Sequence, residues 1–73
     1  MATHIVMDRN GDSRHTFDAT DTAALLKAER RFHELMKGGY TAAVRSATGQ
    51  PTVIRNFDPE AEETLFFPRL VGG

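Results

Sequence analysis

The chain has 73 residues, of which 40% are hydrophobic and 26% charged, and its formal net charge is −1. This length accommodates one small domain, and the composition is typical of a folded protein rather than a disordered one. A net charge this close to zero provides no strong field for binding nucleic acid, and the absence of cysteine excludes a disulfide framework, a thiolate metal site and a cysteine nucleophile.

No stretch of the sequence has the features of a membrane anchor or a secretion signal. The apolar runs are much shorter than the roughly 20 residues that a membrane-spanning helix needs. Residues 1–8 lack a basic segment followed by a long apolar one. We therefore expect a cytoplasmic protein with neither a membrane nor a nucleic acid as its partner.

The first two predicted strands form a hairpin. Residues 3–8 are an apolar, partly β-branched run, and residues 13–18 alternate so that His15 and Phe17 share one face. The Asn-Gly pair at residues 10–11 is the strongest short-range hairpin signal, because both central residues of a type I′ turn need a positive φ. We expect an antiparallel hairpin with Phe17 facing the core.

A single long helix is predicted for residues 22–37. Thr20 or Asp21 can cap its N-terminus, since either side-chain oxygen can accept from free N–H groups of the first turn. Gly38-Gly39 ends the helix, with a left-handed glycine as the C-cap. One apolar stripe follows the helical spacing: Leu25, Ala28, Phe32, Leu35 and Met36. This stripe requires a sheet against which it can be buried.

Three more strands are predicted after the helix, for residues 40–46, 52–57 and 64–67. The middle one of these is expected at an edge of the sheet. Two strands, one helix and three strands (ββαβββ) predict an α+β fold in which a mixed sheet carries one helix across one face.

The sheet is expected to end at Pro68, which has no N–H and cannot lie inside a central strand. We therefore predict a domain over residues 1–67 and an extended tail over residues 68–73. The tail ends in Gly72-Gly73, and because glycine has no Cβ such an end is thin and sterically open. It suits a substrate that enters a narrow catalytic channel and presents its terminal carboxylate, although a frayed terminus is the ordinary alternative.

The order of elements resembles that of ubiquitin, and the ending resembles two endings of that superfamily. Thr64-Leu65, Arg69-Leu70 and Gly72-Gly73 are similar to the ubiquitin tail. Residues 65–68, Leu-Phe-Phe-Pro, followed by residues 71–73, are similar to the small subunit of molybdopterin synthase and to sulfur carriers of the thiamine type. The chain also looks like small proteins of bacterial conjugation-like operons. The resemblance implies a β-grasp (ubiquitin-like) roll, with the first and last strands paired in parallel at the centre of the sheet.

The resemblance further implies a modifier that is itself no enzyme and holds no permanent cofactor. An activating enzyme would use ATP and magnesium to adenylate the carboxylate of Gly73, after which the protein would be conjugated to a target. A conjugating enzyme and a deconjugating peptidase would be further partners. Contacts with the activating enzyme would come from the tail residues Arg69, Leu70, Val71 and Gly72. Two alternatives remain: a sulfur carrier with a thiocarboxylate at Gly73, and a non-covalent adaptor.

The remaining candidates are surface features. Phe66 and Phe67 alternate, so we expect one to face the core and the other to face outward. The candidate partner patch consists of Phe66, Phe67, Pro68 and Val44. If the protein were conjugated to itself, Lys27, Lys37 and the Met1 amine would be the main acceptors, because the chain has no other lysine.

Neither the histidines nor the acidic residues predict a catalytic or metal site. His4, His15 and His33 lie on three different predicted elements and lack ligand spacing, so no metal site is predicted. The acidic residues before the last strand have no nucleophile nearby in the sequence and are interpreted as a solvated turn that attracts a basic partner. They are Asp58, Glu60, Glu62 and Glu63.

Overall fold

The computed structural model describes residues 1–45 and 49–68. Two strands precede the helix and three follow it: β1 Ala2–Asp8, β2 Gly11–Phe17, α1 Thr22–Lys37, β3 Tyr40–Arg45, β4 Pro51–Ile54 and β5 Glu63–Pro68. The strands form one mixed sheet, and the helix covers one of its faces. The chain is therefore an α+β protein with an arrangement compatible with the β-grasp fold.

The first and last strands meet in the middle of the sheet. The strand order is β2-β1-β5-β3-β4. β1 and β5 run parallel, with Ile5 opposite Leu65, whereas the pairs β1–β2, β3–β5 and β3–β4 are antiparallel. β1, β5 and β3 each have a neighbour on both sides and form the interior of the sheet, whereas β2 and β4 form its edges.

The β1–β2 hairpin is confirmed, but the prediction of a type I′ turn is wrong. Asp8 pairs with Gly11, so Arg9 and Asn10 are the central residues of the turn. Among the described residues only glycines have a positive φ, and here it is Gly11, at 117°. The Asp8 carboxylate accepts a 2.7 Å hydrogen bond from the backbone N–H of Asn10. This local bond stabilises the turn with Asn10 at negative φ and leaves the left-handed position to Gly11.

The helix begins and ends where the sequence predicts. The Asp21 side chain accepts hydrogen bonds from the N–H groups of Ala23 and Ala24, at 3.0 and 3.3 Å. At the other end, the N–H of Gly38 donates to the carbonyl of Glu34, and it is Gly39 that takes the positive φ, at 90°. The caps satisfy backbone groups that the helix itself leaves free.

The core lies between the helix and the sheet. One cluster contains Val6, Phe32, Ala42 and Phe66, and the other contains Ala2, Phe17 and Ala28. The predicted stripe of the helix is confirmed, since Ala28 and Phe32 are buried and the other three members are half-buried. Phe17 faces the core as predicted.

The strands after the helix differ from their predicted bounds. β4 ends at Ile54 rather than at Phe57, because the chain bends at Arg55 and Asn56 and Phe57 turns into the core. Its ring lies 5.8 Å from that of Phe32, centroid to centroid. β5 includes Pro68, which pairs with Tyr40 at the end of the ladder.

Within the part of the chain that the structure describes, no helix is both long and apolar enough to cross a membrane.

Candidate functional site

The strand register assigns every strand residue to one of two faces. Residues directly opposite each other on paired strands share a face. Two rows of residues across β1, β5 and β3 face the helix. The first row is His4, Thr64 and Val44, and the second, two residues further along each strand, is Val6, Phe66 and Ala42. The residues between them point to the opposite side, which we call the open face.

An apolar band crosses the open face from β1 to β4. Ile5 is opposite Leu65, Leu65 is opposite Ala43, and Ala43 is opposite Val53. Met7 and Phe67 extend the band along β1 and β5. We call these residues the open-face band: Ile5, Met7, Ala43, Val53, Leu65 and Phe67. Ile5 and Ala43 are buried, whereas Phe67 and Val53 keep 36% and 65% of their surface exposed.

Arginines surround the open-face band. Arg14 lies on β2, opposite Ile5 of β1, and Arg55 follows the last residue of β4. Both arginines are exposed. Arg45 approaches Glu63 across the β3–β5 pair, with 3.5 Å between Nε and Oε1. Since both side chains are in contact with solvent, this ion pair contributes little to stability. The band is thus an apolar surface whose rim carries charges of both signs, since Asp12 lies opposite Met7 on the same face.

The structure does not bring the four residues of the predicted partner patch together. Phe66 is fully buried beneath the helix, and Pro68 and Val44 share that face of the sheet. Only Phe67 belongs to the open face. The alternation predicted for the two phenylalanines is confirmed, and Phe66 is therefore a core residue and not a surface for a partner.

The tail residues lie outside the described part of the chain. They are Arg69, Leu70, Val71, Gly72 and Gly73, and their roles stay predictions. The structure does define the residue from which they follow, since β5 ends at Pro68, next to Phe67 of the open-face band.

Both lysines are exposed on the helix, on the opposite side of the sheet from the open-face band. Lys27 is in the second turn and Lys37 is the last helical residue. Met1 is 83% exposed at the start of the chain. All three amines are therefore accessible to solvent in the folded protein.

His4 is the buried histidine that the sequence did not reveal. It is 2% exposed, and its ring makes edge contacts with Phe17 and Phe66 at 5.0 Å and with Phe57 at 6.0 Å. Its Nδ1 has no hydrogen-bond partner. Burial, followed by the positive charge of Arg31 and the proximity of His15, lowers the pKa of His4 from 6.5 to about 4. The imidazole is therefore neutral at pH 7.

One sequence feature could have indicated this burial. Ala2, His4 and Val6 alternate with Thr3, Ile5 and Met7, so both faces of β1 are largely apolar. Such a pattern is typical of a central strand, in which neither face is fully solvated. A histidine in that strand has a greater chance of burial than one on an amphipathic edge.

The histidines and acidic residues of the described ranges form no metal-binding group. No group of three His, Asp or Glu side chains there is close enough to hold a metal ion. Two of the four acidic residues near the start of β5 have local partners: Asp58 accepts from the N–H of Glu60 at 2.9 Å, and Glu63, the first residue of β5, approaches Arg45. Glu60 and Glu62 are exposed.

Comparisons with protein-family models, with curated proteins and with solved structures find no match to this chain. An assignment of function therefore depends on the strand topology, on the open-face band and on the sequence that follows β5.

Proposed function

We infer that this chain is a ubiquitin-like protein modifier with a β-grasp fold, whose C-terminal glycine is activated and then joined to a target. One observation carries the proposal. The last strand, β5, lies in parallel beside β1 at the centre of the sheet, and the sequence that follows it is Arg69-Leu70-Val71-Gly72-Gly73. A central strand with a neighbour on both sides is thus followed by a sequence whose last two residues carry no side chains.

The chemistry requires an activated acyl group, because a carboxylate is a poor acyl donor. In the proposed reaction, a carboxylate oxygen of Gly73 attacks the α-phosphorus of ATP and releases pyrophosphate, which yields an acyl-adenylate. A nucleophile of the acceptor then attacks the Gly73 carbonyl carbon, and AMP leaves with the bonding electron pair. The activating enzyme supplies ATP, magnesium and the catalytic groups. This chain supplies the reacting carboxylate and the small residues that give access to it.

The open-face band is the surface that we assign to the activating enzyme. It is the apolar surface that contains Phe67, one residue before the end of β5. Phe67 and Val53 are exposed, and aromatic side chains such as Phe67 are enriched in protein–protein interfaces. The charges of both signs around the band favour a partner surface with a complementary charge pattern. The two amines of the helix face away from this contact and stay accessible as acceptors.

The proposal is tested in the source cells with an N-terminally tagged protein. Wild type and a Gly73 deletion are purified under denaturing conditions, and intact masses are measured. We expect heavier species with the wild type and none with the deletion, and digestion then locates the acceptor amine. The same masses establish whether Gly73 carries the free carboxylate in the mature protein. If the wild type and the deletion give the same masses under several growth and stress conditions, the covalent function is wrong and a non-covalent adaptor becomes the better assignment.

A sulfur carrier is the second candidate, and the Leu-Phe-Phe-Pro sequence at residues 65–68 favours it. In this reaction sulfide sulfur replaces AMP on the Gly73 carbonyl, so the product is a thiocarboxylate and not an amide. The same mass measurement separates the two candidates. A carrier gives a single species about 16 Da heavier, because one oxygen is replaced by one sulfur, whereas a modifier gives a series of much larger adducts.

A further inference from the structure

The outer edge of β2 is the longest free strand edge of the described chain. β2 spans seven residues, Gly11–Phe17, and within the described ranges it pairs only with β1. It contains no proline, and most of its side chains are exposed. Because alternate residues of an edge strand direct N–H and C=O groups away from the sheet, this edge can pair with another strand.

The other edge of the sheet is much less suited to pairing. β4 has only four residues, Pro51–Ile54, and its first residue lacks an N–H group. Short length and proline are two of the ways in which proteins block an edge strand. Strand addition is therefore expected at β2 and not at β4.

The charges of β2 are complementary to those of a second copy. Asp12 and Arg14 point to the open face, with Ser13 between them on the helix face. When two β2 strands run antiparallel with Ser13 opposite Ser13, Asp12 of each copy lies opposite Arg14 of the other. This register contains two favourable cross-strand pairs. A shift of one residue in each copy would place Arg14 opposite Arg14, which is unfavourable.

We propose that β2 is a self-association edge through which two copies of this chain form a symmetric dimer. The two copies pair along residues 11–15 with the two-fold axis at Ser13, as a closed isologous interface requires. Since Asp12 and Arg14 share a face, the open faces of both copies lie on the same side. Two five-stranded sheets then join into one of ten strands. This inference does not depend on the proposed function.

Charge reversal tests the proposed register. Sedimentation of the wild type over a series from micromolar to millimolar concentration is expected to show a monomer–dimer equilibrium that weakens at high salt, because the paired charges are exposed to solvent. Asp12→Arg and Arg14→Asp each create two like-charge pairs, so each variant alone is expected to dimerise about tenfold or more weakly. The double variant, Asp12→Arg with Arg14→Asp, restores both opposite pairs and is expected to dimerise like the wild type.

A mixture of the two single variants provides an internal control. The Asp12→Arg copy presents two arginines and the Arg14→Asp copy presents two aspartates, so the mixture is expected to form heterodimers. Circular dichroism of each variant verifies that the fold is retained. A wild type that stays monomeric over the whole concentration series would overturn the proposal. So would a dimer that Arg14→Asp leaves unchanged, since the copies would then meet through another surface.

Cross-linking tests the position of the two-fold axis. The chain has no cysteine, so Ser13→Cys introduces one thiol, which meets its own copy at about 5 Å between Cα atoms, a distance that a disulfide spans. Thr16→Cys is the matched control, because Thr16 lies opposite Asn10 in this register and about 20 Å from its own copy. Under oxidation by copper phenanthroline we expect a covalent dimer of Ser13→Cys and none of Thr16→Cys. Equal cross-linking of both variants would contradict the register.

Discussion

At the scale of single residues, His4 has the most unusual environment of the described chain. Its imidazole is enclosed by three phenylalanine rings and Nδ1 has no partner. Arg31 of the helix and His15 of β2 oppose its protonation. A protein that buries a neutral histidine in this way becomes less stable in acid, because the proton binds to the unfolded chain more readily than to the folded one.

The first prediction is that the free energy of unfolding falls as the pH decreases from 6.5 to 4. In the unfolded chain the histidine takes up a proton near pH 6.5, whereas in the folded protein the pKa of His4 is about 4. This difference in pKa lowers the free energy of unfolding by about 3 kcal/mol at pH 4. Urea unfolding of the wild type and of His4→Leu is compared over this pH range. The difference in the free energy of unfolding between the two proteins removes the contribution of the carboxylates, which both share. This difference is expected to change by that amount between pH 6.5 and 4.

His33→Gln is the matched control for His4, since His33 is exposed on the helix. Its free energy of unfolding at neutral pH is expected to stay close to that of the wild type, unlike that of His4→Leu. A difference between wild type and His4→Leu that stays constant from pH 6.5 to 4 would contradict the pKa assigned to His4.

At the scale of the elements, the helix depends on its N-terminal cap. The Asp21 carboxylate satisfies two backbone N–H groups of the first turn. We predict that Asp21→Ala lowers the free energy of unfolding by about 1 kcal/mol. Asp21→Asn is expected to keep most of the stability of the wild type, because an amide oxygen can accept the same hydrogen bonds. Urea unfolding at neutral pH measures both. Equal losses for the two variants would show that the side-chain oxygen is not what stabilises this end of the helix.

The last strand carries a second prediction at this scale, since two adjacent phenylalanines of β5 have opposite environments. Phe66 has no exposed surface and packs against Phe32 and His4, whereas Phe67 lies on the open face. We expect Phe66→Ala to cost about 3–5 kcal/mol, a large part of the total for so small a domain. Phe67→Ala is expected to cost much less. Thermal and urea unfolding of both variants test this; comparable losses would mean that the open face is covered by other parts of the protein.

Much of the local structure could be predicted from the sequence. The bounds of the helix follow from its cap, its stripe and the two glycines that end it. The type of the β1–β2 turn could not be predicted, because it depends on a side-chain bond from Asp8 that competes with the preference of an Asn-Gly pair. The end of β4 could not be predicted for a related reason, since it depends on the packing of Phe57 against Phe32, a contact between residues distant in the sequence.

The candidate site could be predicted only in part. The alternation of Phe66 and Phe67 is a property of one strand, so the sequence indicates it directly. The open-face band combines residues from four strands, and its composition depends on which strands are neighbours and in which register. Single-strand patterns contain neither piece of information, and for that reason the predicted patch joined Phe67 to residues on the opposite face.

At the scale of the whole molecule, the two sides of the sheet have different roles in the proposed function. The open-face band is assigned to the activating enzyme and the helix presents the lysines. We predict that Phe67→Ala lowers the fraction of the protein found in conjugates several-fold in the source cells, because it removes the exposed anchor closest to the end of β5. The measurement is quantitative mass spectrometry of tagged protein, with unfolding experiments to verify that the variant remains folded.

Leu26→Ala is the matched control for this experiment. Leu26 is also a large exposed apolar residue, 58% accessible, but it lies on the helix, away from the open face. Its replacement is expected to leave conjugation unchanged. If both variants reduce conjugation equally, the open-face band has no special part in activation; if neither does, the enzyme recognises a different surface.

The central pairing of β1 with β5 also determines when this protein can fold during its synthesis. Thr3 is opposite Glu63, so the contacts at the middle of the sheet join residues that are sixty positions apart (63 − 3). Such distant contacts are slow to form and require nearly the entire domain. Until β5 has left the ribosome, the β1–β2 hairpin and the β3–β4 pair have no strand between them, and the helix has no complete sheet to cover. We therefore expect ribosome-bound chains stalled before Glu63 to remain sensitive to protease, and chains in which Pro68 has cleared the exit tunnel to become resistant.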